Sequence, residues 1–174
     1  MDAIFAGGCF WCTEAAFEQL RGVDAVESGY IGGEAKTANY EAVCTGRTGH
    51  AEAIRITYDP AQISYSRLLD VFFDAHDPTT LNRQGADVGT QYRSAIFTSD
   101  PAEIAIAKAK IAELMAGRRF AAPIVTTIEP RTEFYPAEDY HQGFAGLNPN
   151  HPYIRGVSMP KVCKVREHFG DLIG

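Results

Sequence analysis

Apolar positions along this chain switch between two spacings, and the switches divide it into strands and helices. Ala3-Ile4-Phe5-Ala6 is a short apolar run stopped by Gly7-Gly8, which predicts a buried strand. Over 12–20 the apolar residues Ala15, Ala16 and Leu20 follow helical spacing, with Gly22 as the stop. Residues 23–30 predict a second strand, closed by Gly32-Gly33, and 39–49 read as irregular, with Gly46 and Gly49 permitting tight backbone. From His50 the alternation is strict. Glu52, Ile54, Ile56 and Tyr58 share one face and Ala51, Ala53, Arg55 and Thr57 the other, until Asp59-Pro60 ends the strand. Ser64 caps a helix whose buried stripe is Leu68, Leu69, Phe72 and Phe73. The irregular stretch 76–91 is longer than an ordinary connection, which in a compact domain points to function. A strand over 93–98 follows, then a helix over 103–116 capped by Ser99 or Asp100, with Pro101 in its first turn and Gly117 at its end. Glu103, Lys108, Lys110 and Glu113 read as its solvated face. Residues 124–128 predict one more strand, and the remainder reads as loop with a final short helix near 162–169.

The order strand–helix–strand–strand–helix–strand predicts an α+β two-layer sandwich with a ferredoxin-like, split βαβ core. Additional elements and a loop-rich C-terminal segment complete a single catalytic domain over 1–174. A chain of 174 residues buries roughly 70% of its unfolded surface and needs no staples. With 45% hydrophobic and 22% charged residues, and no apolar run near the roughly 18 residues of a spanning helix, it reads as a soluble globular domain. The opening M-D-A-I-F-A-G-G-C lacks a basic n-region and a long h-region, so a cytoplasmic monomer is expected. The net charge of −6 argues against nucleic-acid or anionic-membrane partners.

Four cysteines without a secretory signal do not form a disulfide framework. Cys9 and Cys12 make a C-x-x-C, a spacing tied to redox or metal chemistry. Cys9 falls where the first strand gives way to the first helix. Free amides and partial positive charge there favour a thiolate, and Gly7-Gly8 would turn the backbone and leave room for a substrate. Against this stands the ordinary fate of a free cysteine as a small buried hydrophobe. Phe10 and Trp11, the only tryptophan, read as exposed-leaning aromatics that wall an apolar pocket, although aromatics are more often core.

G-C-F-W at 8–11 after an apolar strand resembles the methionine sulfoxide reductase A family, and the likeness runs on. It takes in G-Y-I-G-G at 29–33, N-Y at 39–40, V-C-T-G-R-T-G-H-A-E at 43–52, Y-D-P at 58–60 and H-D-P-T at 76–79. N-R-Q-G-A-D-V-G-T-Q-Y-R-S at 82–94 and F-Y-P-A-E-D-Y-H-Q at 134–142 extend it over nearly the whole chain. The resemblance implies reduction of methionine sulfoxide, the S epimer at sulfur, free or in peptides. It also implies no dissociable cofactor, no metal, and regeneration by thioredoxin or a similar dithiol protein.

It assigns roles as well. Cys9 is the implied nucleophile, becoming a sulfenic acid, and Glu52 the acid that protonates the departing oxygen. The alternating pattern places Glu52 on a mostly apolar face, where burial would keep it protonated. The other reading of that residue is a carboxylate paired with an arginine such as Arg93. Tyr40 and Tyr92 resemble the phenols that hold the sulfoxide oxygen, Asp87 a residue near the substrate, and Phe10 with Trp11 the methyl pocket. His141 lies in a family motif and reads as structural, as does Cys44.

Cys12 departs from the commonest pattern, which has glycine there. Its spacing from Cys9 on a helix makes it the preferred resolving cysteine. Cys163, in a stretch that looks helical, is the other candidate. Two rivals remain at this level. One is a thioredoxin-like thiol–disulfide oxidoreductase; the other is a zinc module using Cys9, Cys12, Cys44 and His50 or His141. His76, His151 and His168 read as surface or hydrogen-bonded structural residues.

Overall fold

A computed structural model describes residues 1–174. The elements are β1 (Asp2–Gly7), α1 (Phe10–Glu18), β2 (Val23–Ile31), α2 (Tyr40–Val43), β3 (Ala51–Tyr58), α3 (Tyr65–Ala75), β4 (Arg83–Gln84), β5 (Asp87–Val88), β6 (Ser94–Phe97), α4 (Pro101–Ala116), β7 (Thr127–Glu129), β8 (Phe134–Pro136), α5 (Phe144–Leu147) and α6 (Met159–His168). Six strands form one sheet in the order β7-β6-β1-β3-β2-β8, antiparallel except for the parallel pair β6–β7. β4 and β5 make a separate hairpin inside the long connection.

Period-two alternation decides what each strand faces. Ala3 and Phe5 of β1, and Ile54, Ile56 and Tyr58 of β3, meet α1, α3 and α6 in the main core. Ile4, Ala6, Ala51, Ala53, Ala95 and Phe97 fill the opposite face with Phe134. The sheet is therefore buried on both sides at the β1–β3 centre. Phe5 anchors the main core, its ring centroid 5.0 Å from Phe72, 5.8 Å from Tyr65 and 5.9 Å from Phe17. Burying a side chain of that size contributes about 1.5–3 kcal/mol.

Local signals decide the helix ends. Ser64 accepts from the Arg67 amide and Asp100 from the Ala102 amide, as the sequence indicates. Two readings need correction. Lys110 is nearly buried and its ammonium lies 2.6 Å from Asp70 Oδ1, because α4 packs its Ala107–Lys110 side on α3. The C-terminal segment is less irregular than expected. A five-residue π turn, Ile154–Ser158, leads directly into α6, and Ile154, Ser158, Val162 and Val165 are its buried residues. No helix is long and apolar enough to cross a membrane.

Candidate active site

Cys9 is the N-cap of α1, in extended conformation (φ −62°, ψ 128°), and its carbonyl accepts the Cys12 amide at 3.1 Å. Its side chain does not cap the helix. The open end is closed by a residue from another element instead: the Phe10 amide donates to Glu52 Oε1 at 3.2 Å. Glu52 is 1% exposed and takes no arginine, because Arg93 pairs with Glu129. Burial pushes the Glu52 carboxyl up to about 8, against the pull of the Phe10 amide, and the charges of Asp87 and Cys12 add to the rise. It is a neutral acid at pH 7.

The helix end does not lower the Cys9 thiol as the sequence suggested. A hydrogen bond with the Cys12 side chain, burial and the Glu52 charge raise it well above the ordinary thiol range, and the Trp11 amide opposes them only in part. The easily ionised sulfur is Cys12. The Cys9 thiol, Lys161, Ser158 and Tyr153 draw it down to about 6 despite its burial. The two thiols share the first turn of α1 and influence each other, and the pair gives up its first proton at Cys12.

Gly7 and Gly8 also differ from expectation. The space beside them is filled: a Cβ on Gly8 (φ +89°) would lie 2.6 Å from Gln84 Cγ, and one on Gly7 3.1 Å from His76 Cγ. They allow close packing of the hairpin and α3, not substrate room.

Phe10 is wholly buried, its ring 5.7 Å from Tyr30 and 5.0 Å from His141, so the exposed-leaning reading fails for it. Helix geometry turns it inward and leaves Trp11 half-buried at the surface. Trp11 lies flat on Phe144 (3.8 Å, 7° between planes) and donates from Nε1 to His141 Nδ1 at 3.0 Å. Tyr40 opens α2, its amide donating to Glu138 and its ring 4.5 Å from His141. Burial, then the thiol of Cys44, push its phenol up. Tyr92 is raised by burial and then by the charges of Glu52 and Asp87. Both phenols stay protonated donors. Asp87 accepts from the Tyr153 hydroxyl at 2.6 Å.

The sequence profile of the family described as peptide methionine sulfoxide reductase matches residues 1–172. The peptide methionine sulfoxide reductase MsrA of Deinococcus radiodurans is 57% identical over 170 residues, 98% of this chain and 82% of that protein. This chain belongs to the peptide methionine sulfoxide reductase family. It resembles the crystal structure of reduced Mxr1 from Saccharomyces cerevisiae with a TM-score of 0.82, at 36% identity and 87% coverage of each chain. Mxr1 in complex with Trx2 also matches, with a TM-score of 0.58, 26% identity and coverage of 83% and 84%.

Within this family member, Cys9, Cys12 and Glu52 meet at the head of α1, and Tyr40, Tyr92 and Asp87 lie on their flank. Cys163 stands apart, exposed on α6 beyond its buried residues Val162 and Val165. Cys44 is exposed and not a core residue. The zinc alternative loses His50, which uses both ring nitrogens on the Gly33 amide and Glu34 carbonyl, while His141 accepts from Trp11 through Nδ1. His76 is a buried structural residue, bonded to the Phe72 carbonyl and Ser94.

Glu138, Phe144, Tyr153 and Ser158 escaped the sequence reading. They lie in the segment whose pattern predicts loop, and the only local pointer is the motif that ends in His141-Gln142. Glu14 escaped as well. Burial pushes its carboxyl up to about 7, while Ser28 Oγ donates to it at 2.8 Å and the Gly143 amide also donates to it.

Proposed function

We infer that this protein reduces methionine S-sulfoxide, in peptides or free, and is regenerated by a thioredoxin. The observation that carries the reading is the neutral, buried Glu52 at the amide end of α1, beside a thiol pair that readily loses one proton. Cys9, made a thiolate by passing its proton to Cys12, attacks the sulfoxide sulfur. Glu52 protonates the departing oxygen while Tyr40 and Tyr92 donate to it, and Trp11 packs against the methyl group. The protonated oxygen then passes from the substrate sulfur to the Cys9 sulfur as the bond between the two sulfurs breaks, so that methionine leaves and Cys9 is a sulfenic acid. Cys12 then condenses with Cys9, water leaves, and a disulfide is formed. Cys12 is the preferred resolving residue because it shares the first turn of α1 with Cys9, whereas Cys163 faces away from the core on a regular helix.

A dithiol protein must reopen that disulfide, and the complex of the relative Mxr1 with Trx2 supports a thioredoxin in this role. For the core, the central strand order β6-β1-β3-β2 supports the split βαβ description, with β7 and β8 added at the edges.

The test is a single turnover of the reduced protein with a peptide sulfoxide of defined chirality, followed by thiol counting. One methionine and the loss of two thiols are expected from the S epimer alone. A Cys9→Ser variant that still releases methionine would remove the assignment.

A further inference from the structure

Cys12 is 1% exposed and rests against a polar wall to which no direct part in the sulfoxide step has been given. Its sulfur lies 3.0 Å from Ser158 Oγ and 3.7 Å from the Tyr153 hydroxyl, to which it donates. That hydroxyl in turn donates to Asp87 Oδ2 at 2.6 Å, across the gap from the C-terminal segment to the β4–β5 hairpin. The wall depends on the π turn. Tyr153 and Ser158 are five residues apart, a spacing that an α-helix sends to different sides and that the wider π turn brings toward one. The turn is set at the one stretch where two polar groups meet the same sulfur.

We propose that Tyr153 and Ser158 are catalytic residues of the resolving step, activating Cys12 for its attack on oxidised Cys9. This rests on the reading of Cys12 as the resolving cysteine. As the thiol proton of Cys12 moves to the Tyr153 oxygen, the Tyr153 proton moves to Asp87, and Ser158 donates to the sulfur as it becomes anionic. The Cys12 sulfur gives its electron pair to the sulfur of the Cys9 sulfenic acid. The S–S bond forms and the S–O bond breaks. The oxygen leaves with its own hydrogen as hydroxide, takes the proton released through Asp87, and departs as water. Cys12 is oxidised as Cys9 is reduced, so no outside reductant enters.

The charged and titratable groups around Cys12 agree with this direction. In the reduced protein Cys9 bonds to it from the head of α1; Lys161 from α6 and the hydroxyls of Ser158 and Tyr153 also favour its thiolate, while Asp87 faces Tyr153 as its proton acceptor. Glu52 of β3 is near enough to feel its charge and is itself neutral at pH 7. Hydrogen bonds to the charged form of an acid favour that form.

The experiment mixes reduced protein with one equivalent of peptide sulfoxide and follows methionine release and disulfide formation separately between pH 5 and 9. In Ser158→Ala, disulfide formation is expected to slow by about tenfold relative to methionine release in the same sample, the scale of one lost bond to a charged group. Its pH midpoint should move upward and the sulfenic acid should become trappable by dimedone. Ser158→Thr, which keeps the hydroxyl, should restore the rate, and Tyr153→Phe should also slow the disulfide step. A Cys9–Cys12 link formed at wild-type rate and midpoint in both Ser158→Ala and Tyr153→Phe overturns the proposal alone. A Cys9–Cys163 link in the wild-type protein overturns it together with the assignment of Cys12.

Discussion

The Phe10 amide and the Glu52 carboxyl, 42 positions apart in the chain, are joined by a 3.2 Å hydrogen bond. One contact completes the uncapped end of α1 and fixes the proposed acid beside Cys9. A serine or aspartate N-cap would reach the Trp11 or Cys12 amide, not the Phe10 amide, which lies too close to the cap. That first amide is served from β3 instead, and catalysis and helix stability share an atom.

Glu52→Gln keeps an oxygen for the Phe10 amide and removes the acidic proton. The sulfoxide step is expected to slow by roughly 10²–10⁴, the usual contribution of a general acid. In the wild-type protein the same step should decline as pH rises through about 8, since the acid must be protonated to act and its burial sets that value. Rapid-quench measurement of methionine between pH 6 and 9 checks both. An unaltered rate in the variant means another group supplies the proton.

Removal of Cys12 and of Cys163 should have unequal effects. Cys12→Ser is expected to release one methionine per chain and then stall, with thioredoxin-coupled turnover falling at least about tenfold. Cys163→Ser, on the exposed side of α6, should turn over as the wild-type protein does. Coupled NADPH oxidation with thioredoxin and its reductase reads the difference. A stall in Cys163→Ser would transfer the role.

Gly8→Ala tests the packing of the first turn. The residue has φ +89°, and its new Cβ would lie 2.6 Å from Gln84 Cγ and 2.8 Å from Gln84 Cβ. Gln84 cannot swing aside freely, because its amide bridges the Asp77 N–H and carbonyl at 2.8 and 2.9 Å. A loss of about 1–3 kcal/mol is expected from the backbone strain and the overpacking together. Urea unfolding measures it, and an unmoved midpoint would contradict the geometry.

His76 makes stability depend on acid. Burial lowers its imidazole to about 4 from an ordinary 6.5, with both ring nitrogens bonded. The folded state refuses a proton that the unfolded state accepts. Its contribution is therefore complete above 6.5, declines as pH falls toward 4, and then levels off. The slope is at most about 1.4 kcal/mol per pH unit. Urea titrations at pH 7 and pH 5 should show the loss, and His76→Gln should flatten it.

Much of this is legible in the sequence. The alternation over 50–58 located Glu52 on the apolar face, and it is buried there with Ile54, Ile56 and Tyr58. The caps Ser64 and Asp100 fell where the periodicity placed them. Lys110 shows the limit of such patterns. A charged residue on an amphipathic helix reads as solvated unless the partner is visible, and Asp70 belongs to a different helix.

The sequence by itself determined the order of the central strands and the long helices, the thiol at the head of α1 and the family, because those follow from local spacing and from the residues themselves. Only the tertiary structure decided which sulfur ionises, that Phe10 is core while Trp11 lies on Phe144, and that Tyr153 and Ser158 face Cys12. Such properties arise from burial and from contacts between residues as much as 146 positions apart, and an electrostatic field summed over packed neighbours has no signature in local spacing.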